Sequence, residues 1–515
     1  MVDKKTYWKL YPRGSQPGRI YGMAKNHKKD CPLRPVLSAI NTAEYELSKW
    51  LEVQIKPYYN GKWSVSSTQE FVRNLGEVKP KSTDILVSFD IRSLYTNVPL
   101  NEVIDDVTNA MYDAKNDSIF YKHRNKLTSR VFKNMLRKCS ENIFLYRDEV
   151  YRQTDGLSMG SPLAPLLANW FVAKLENAVL EDSSFKKPIS YQRYVDDIFA
   201  VFETIEERDE FFLRLNNAHK SLDFTIEEVN QYSGTLPFLD TEVRITGANQ
   251  FETKVYRKPT NTNVLLHYEA TTPQKWKRGL IKCLLHRASR VTSTKELLDE
   301  EVMHLTAVFR ANGYPNTFVN KIVDEHLNKV TETEEQTTTT TNKQVMEVAN
   351  TKFFVLPYIG RCSEKLFRKR KHELQLHDVD LRPAYRATKV GSYFGLKSGV
   401  PTLFKADVVY KFQCPRDDGI HRAEYIGETQ RQLFQRISEH LPATSKSESA
   451  VCDHIQQCNE CQTYKNIVTC FRVIRVSNSA DVLSEEALCI RKFEPSLNIQ
   501  MGPSRGARVS TNIFS

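Results

Sequence analysis

The stretch that most constrains this chain is Tyr194-Val195-Asp196-Asp197, with Tyr191-Gln192-Arg193 before it and Ile198-Phe199-Ala200-Val201-Phe202 after it. An apolar or aromatic run, two adjacent acids and a second apolar run predict strand, tight turn, strand. Two carboxylates at a hairpin tip repel one another and desolvate badly, so a fold that keeps them close needs a strong reason. The usual one is a divalent cation: hard oxygen ligands hold Mg²⁺ (or Mn²⁺), which in turn holds phosphates. Taken alone, the same four residues also fit an ordinary Asp-Asp turn at the surface.

Upstream, Asp84-Ile85-Leu86-Val87-Ser88-Phe89-Asp90-Ile91 predicts a buried strand with an acid at its end. Asp90 is there as a third metal ligand, if tertiary folding brings it to the 196/197 pair. Tyr95 follows closely, where a ring can lie beneath a sugar or serve as a core-edge tyrosine. Thr154–Pro165 reads as a loop with two glycines, which permit close backbone approach to a nucleotide, and a helix follows from Pro162 to about Leu180. Nearer the start, Tyr21–Lys29 reads as basic and turn-rich. Pro32-Leu33-Arg34-Pro35-Val36-Leu37-Ser38 is extended, because prolines on both sides disfavour helix. Arg34 on such a strand suits a triphosphate, and equally a solvated basic loop. Residues 41–58 carry helical periodicity, with Tyr45, Leu47, Trp50, Leu51 and Ile55 facing inward.

At 515 residues the chain is too long for one core, so two to four domains are expected. Lys+Arg exceeds Asp+Glu by 73 − 62 = 11, which suits a polyanionic partner or an acidic membrane surface. No run reaches the length of a transmembrane helix and the start has no apolar signal core. Six of the ten cysteines (Cys414, Cys452, Cys458, Cys461, Cys470, Cys489) crowd the C-terminal part, favouring reduced thiols or a metal over disulfides. A soluble intracellular protein is expected.

The series PLRPV (32–36), FDIRSLYTNVP (89–99), DGLSMGSPLAP (155–165) and YVDDIFAVF (194–202) resembles the successive finger and palm motifs of a reverse transcriptase. The YGMAKNHK leader, Leu236–Asp240 and Val255–Thr262 narrow the resemblance to the Penelope-like retroelements. The resemblance implies Asp90, Asp196 and Asp197 as metal carboxylates that activate a primer 3′-hydroxyl and stabilise leaving pyrophosphate. It implies Tyr95 as the sugar-discriminating ring, Arg34 as a triphosphate contact, and Asp155 and Gly156 beside the incoming deoxynucleotide. The expected palm order is strand 84–91, helices, helix 162–180, hairpin 190–203, helix 205–219, then strands near 224–230 and 236–246. Residues 143–152 read as a further hairpin and 251–268 as strands. Residues 273–330 read as a helical, basic thumb carrying Lys275, Trp276, Lys277, Arg278, Lys282, His286, Arg287 and Arg290.

Residues 331–350 form a polar, threonine-rich linker. Beyond it, Lys365–Lys371 is a basic cluster that fits a nuclear import signal or a nucleic-acid-facing helix. Asp407–Phe412 and Ala423–Gly427 then predict paired strands, followed by a helix carrying Gln432, Leu433, Arg436 and His440, and a later helix from Ser484 that ends before Pro495. This unit resembles the GIY-YIG nucleases, lacking only the first glycine of their pattern. The resemblance implies Tyr410 and Tyr425 as paired tyrosines, Gly427 for close packing and Arg436 as phosphate clamp. It implies Glu486 as the ligand of one Mg²⁺ and Asn498 as a closing polar residue. Penelope-like nucleases also carry cysteine and histidine zinc ligands. Here Cys414, His440 and His454 are candidates for Zn²⁺, with His421 where a second cysteine would stand and Cys452, Cys458 and Cys461 as substitutes. Unliganded reduced cysteines are the competing reading.

The resulting expectation is an α+β multidomain chain: a right-hand polymerase (fingers, ferredoxin-like palm, helical thumb) followed by a small α/β nuclease. Its boundaries are 1–83 fingers, 84–250 palm, 251–330 thumb, 331–350 linker, 351–404 connector, 405–500 nuclease and 501–515 tail. The expected partners are RNA template, DNA target and primer, and deoxynucleoside triphosphates, with no membrane, acting in the nucleus at the site of integration. An upstream segment beyond Met1 is expected as well. Two other readings are a decayed or domesticated nucleic-acid-binding protein and a telomerase-like cellular enzyme.

Overall fold

The computed structural model describes residues 2–12, 15–25, 30–147, 149–335, 351–374, 380–386, 400–415, 423–441, 449–477 and 481–498. The central element is a four-stranded antiparallel sheet in the order Ser190–Tyr194, Asp197–Phe202, Ile85–Ile91, Phe224–Glu228. Side chains alternate across a strand, and this sheet buries both of its faces. Val87, Phe89 and Ile91, with Ile198, Ala200 and Phe202, enter one core with helices Leu100–Tyr112, Ala164–Leu180 and Ile205–Ala218. Leu86, Phe199 and Val201 enter another with Phe71, Leu75, Leu236, Phe238 and Val243. The period of two therefore puts Asp90 and Asp197 on the same face, at the end of the Leu86 and Phe199 rows.

A second sheet runs Leu33–Ser38, Gly18–Ala24, Ile143–Tyr146, Glu149–Arg152. Residues 21–24, read from sequence as turn-rich, are instead strand, paired antiparallel from Arg19 opposite Ser38 to Ala24 opposite Leu33. Long-range pairing overrides the weak local signal, and Pro35 is tolerated because its strand lies at the edge. The turn read at 92–100 contains one helical turn, Leu94–Asn97, entered through Ser93 at φ +52°. Of the strands expected over 251–268, only Phe251–Val255 forms.

Helices Gln274–Val291, Lys295–Ala311 and Asn316–Glu335 pack through Ile281, Leu285, Leu305, Phe309, Val319 and Ile322. The last helix runs into the expected linker, whose residues 336–350 lie outside those described. Strand Thr351–Pro357, helix Arg361–Leu374 and parallel strand Asp380–Arg386 follow as a small βαβ unit.

The C-terminal unit is a three-stranded antiparallel sheet, Glu424–Thr429, Val408–Gln413, Phe471–Val476. Helices Leu433–His440 and Ala450–Gln457 cover the face bearing Tyr410 and Phe412, and Val482–Phe493 covers the face bearing Val409 and Ile426. The third strand escaped sequence reading because Arg472 and Arg475 interrupt its apolar run. Among the described residues, no helix is long and apolar enough to cross a membrane.

Candidate active sites

Asp90 and Asp197 are direct partners in adjacent antiparallel strands, and the Ile91 amide donates to the Asp196 carbonyl at 3.1 Å. The turn thus folds all three acids to one end of the sheet, although Asp90 is remote in sequence. Burial, then the charges of Asp196 and Asp90, push the Asp197 carboxyl up to about 6, against the pull of Lys258. A divalent cation among these oxygens would remove that repulsion, and an all-carboxylate donor set suits Mg²⁺. Burial and the charge of Asp196 also raise the Tyr95 hydroxyl, which places this ring beside the acids.

The glycine loop packs against the same corner. The Leu157 amide donates to the Tyr95 carbonyl at 2.6 Å, and the Leu37 amide to the Met159 carbonyl at 2.8 Å. Gly156 sits at φ +74°, and a Cβ there would come within 2.6 Å of the Thr96 carbonyl oxygen. The Asp155 carboxylate turns inward: its Oδ1 accepts from the Gly156 amide at 2.8 Å and the Leu100 amide at 3.3 Å, at the start of helix Leu100–Tyr112. Arg34 stands exposed on its edge strand, opposite Met23. Sequence reading gave no role to Lys258, whose charge reaches Asp197, or to Arg193, which is fully buried. For Arg193 no local signal existed: its strand, Ser190-Tyr191-Gln192-Arg193-Tyr194, is polar in sequence, and its burial comes from Glu176 on a separate helix.

The expected basic face of the thumb divides. Lys275, Trp276, Lys282, His286 and Arg290 are exposed. Lys277 is buried and donates to the Tyr268 carbonyl, while Arg278 pairs with Glu325 at 2.5 Å.

In the C-terminal unit Tyr410 is cross-strand partner to Gly427, and a Cβ at Gly427 would lie 2.6 Å from both the Tyr410 hydroxyl and the Tyr425 ring. Only glycine lets the two rings, 6.4 Å apart, converge there. Arg436 Nε donates to the Tyr410 hydroxyl at 3.2 Å and its Nη1 pairs with Glu439 at 2.9 Å. Burial and the charge of Glu428 push the Glu486 carboxyl up to about 7, eased by the Glu428 amide and by Arg436. Asn498 clasps Ile426 with both amide atoms, accepting at 2.9 Å and donating at 2.8 Å, which fastens the C-terminal segment to the sheet.

His440 does not join the cysteines. Its Nε2 lies 2.7 Å from the Tyr410 hydroxyl and its Nδ1 2.6 Å from Ser449 Oγ, so both ring nitrogens are occupied. Among the described residues, the metal-spaced group is Cys414, His454, Cys458 and Cys461, with ligand atoms all within 4.8 Å of one another. The Cys414 sulfur lies 3.7 Å from that of Cys458 and 3.5 Å from that of Cys461. A tetrahedral zinc with Zn–S bonds of about 2.3 Å spaces its sulfurs by roughly 3.8 Å. His454 Nε2 is buried without a hydrogen-bond partner, and burial holds the ring neutral, as a ligand must be. The donor set fits zinc. His421 lies outside the described residues.

A family model described as reverse transcriptase (RNA-dependent DNA polymerase) matches residues 26–230, and one described as animal helix-turn-helix domain matches 264–324. No curated protein matches. Among solved structures, a telomerase from Candida albicans is 13% identical with TM-score 0.41, covering 65% of this chain and 62% of its own. A telomerase from Candida tropicalis is 12% identical with TM-score 0.36, covering 63% and 55%, and the Sicinivirus RNA-dependent RNA polymerase is 10% identical with TM-score 0.38, covering 64% and 72%. This chain thus spans less than two thirds of either telomerase. Its carboxylate corner and glycine loop fall inside the family match, and the chain carries a reverse transcriptase domain over residues 26–230.

Proposed function

We propose that the chain is the RNA-directed DNA polymerase of a Penelope-like retroelement, joined to a GIY-YIG endonuclease that nicks target DNA to prime copying. The observation that carries the polymerase reading is the pairing of Asp90 with Asp197 beside the Asp196 turn, inside the reverse transcriptase match. Bound there, Mg²⁺ would acidify a primer 3′-hydroxyl and neutralise departing pyrophosphate. Tyr95 would lie beneath the deoxyribose and exclude a 2′-hydroxyl. Gly156 and its loop would bring backbone against the incoming nucleotide, with Arg34 at the triphosphate. Exposed Lys275, Lys282 and Arg290 would hold the template–primer backbone, in the region that matches a helix-turn-helix model.

The nuclease reading is supported by Tyr410, Tyr425, Arg436 and Glu486 around the Gly427 gap. Tyr410 would orient the attacking water and pass its proton towards His440, while Arg436 neutralises developing charge on the phosphate. Mg²⁺ on Glu486 would stabilise the leaving oxygen. Zn²⁺ on Cys414, His454, Cys458 and Cys461 would brace this small unit structurally. Its partners would be RNA template, target DNA and deoxynucleoside triphosphates, and its place the nucleus. Primer extension on an RNA template with Mg²⁺, comparing wild type with Asp196→Asn, tests the polymerase. Extension that vanishes in the variant supports it, whereas none from folded wild type favours a domesticated binding protein. Nicking of supercoiled DNA that Glu486→Ala abolishes tests the second site.

A further inference from the structure

Arg193 is a fully buried cation three residues before Asp196. Its Nε and Nη2 donate to the two oxygens of buried Glu176 at 2.6 and 2.9 Å. Nη1 donates to Asn169 Oδ1 at 2.6 Å and to the Val195 carbonyl at 2.9 Å, and Nη2 reaches Ser64 Oγ at 3.0 Å. Tyr191 donates to the same Glu176 at 2.7 Å. A buried ion pair is a poor way to gain stability, since packed apolar residues do as well or better. Its geometry is informative instead.

Val195 sits at φ +57°, a conformation that β-branched residues rarely adopt. It is the first of two loop residues between paired Tyr194 and Asp197, a position where turns with this one positive φ normally carry glycine. The guanidinium that reaches the Val195 carbonyl is anchored on helix Ala164–Leu180, which leads out of the glycine loop. We infer that the Arg193–Glu176 pair is a positioning device that holds the strained Val195 turn and thereby aims Asp196 and Asp197 at their cation. This rests on the polymerase reading. The pair acts through the turn and touches no substrate.

The test is primer extension by the full chain at varied Mg²⁺, with melting temperatures measured alongside. Replacing both charges (Glu176→Leu with Arg193→Met) keeps a packed interior, so the variant is expected to fold. Its kcat falls roughly tenfold or more, the scale of a lost left-handed turn, and its Mg²⁺ requirement rises. The KM for deoxynucleotide changes little. Adding Val195→Gly, which adopts the turn unaided, restores most of the loss. A folded double variant with wild-type kcat and Mg²⁺ dependence overturns the inference, as does a loss that Val195→Gly leaves untouched. Should the double variant not fold, Arg193→Lys keeps the charge beside Glu176 but not the reach to Val195. It is expected to show the same loss and rescue, and normal extension by it overturns the inference. Binding of Mn²⁺ alone, followed by electron paramagnetic resonance, separates this inference from the polymerase reading. Weaker Mn²⁺ binding in the double variant upholds the positioning role even where no template is copied, and unchanged binding refutes it.

Discussion

The imidazole of His440 lies 2.7 Å from the hydroxyl of Tyr410 and turns its other nitrogen to Ser449, away from the cysteines. Burial, with help from the charge of Arg436, pushes this ring down to about 4 from the 6.5 of an ordinary imidazole, so it is neutral in the folded unit. With Arg436 Nε–H donating to Tyr410, the phenol proton goes to His440 Nε2 and Nδ1–H goes to Ser449, and every partner is satisfied.

This gives a pH dependence of stability with a defined sign. Between pH 6.5 and 4 the unfolded chain binds a proton at His440 that the folded chain refuses. Stability is therefore complete above 6.5 and declines as pH falls towards 4, by up to about 3 kcal/mol. Glu486 and Glu428, whose carboxyls are raised in the same unit, act in the opposite sense, so the His440 contribution is read as a difference. Denaturant melts of wild type and His440→Gln at pH 7 and pH 5 should show the wild type losing stability relative to the variant at the lower pH.

The two proposed sites should titrate apart. Metal binding needs ionised carboxylates, and the raised groups are Asp197 near 6 and Glu486 near 7. At limiting Mg²⁺, primer extension should fall off below pH 6 and nicking already below pH 7, each by about tenfold per unit. Coincident profiles for the two activities would contradict this separation.

Zinc content should follow the cysteines and not His440. Metal analysis of the purified chain should find zinc in wild type and His440→Gln, and its loss in a Cys458→Ser, Cys461→Ser variant. That variant should lose nicking through unfolding of the C-terminal unit while extension continues, because structural zinc contributes directly to folding.

Gly156→Ala should impair nucleotide handling. The new methyl would need φ +74° and would press on the Thr96 carbonyl, so the loop must shift away from Tyr95. The cost of such strain, about 1–3 kcal/mol, corresponds to a rise in deoxynucleotide KM of roughly five- to 150-fold. Steady-state kinetics on a homopolymer template would measure it.

The hairpin Ser190–Phe202, the strand ending in Asp90, and the glycine loop with its helix were legible in the residues alone, because period and turn chemistry are local signals. It also marked Tyr410, Tyr425, Gly427, Arg436, Glu486 and Asn498, which the fold gathers at the sheet of the C-terminal unit. Which ligands meet depends on the packing. A histidine at helical spacing reads as a zinc donor until packing turns both its nitrogens to Tyr410 and Ser449, leaving His454, Cys458 and Cys461 to join Cys414. Likewise the strand at Gly18–Ala24 exists through partners at 33–38 and 143–146, and the burial of Arg193 through Glu176 on a separate helix. These contacts join residues far apart in the chain, where no local periodicity records who the neighbour will be.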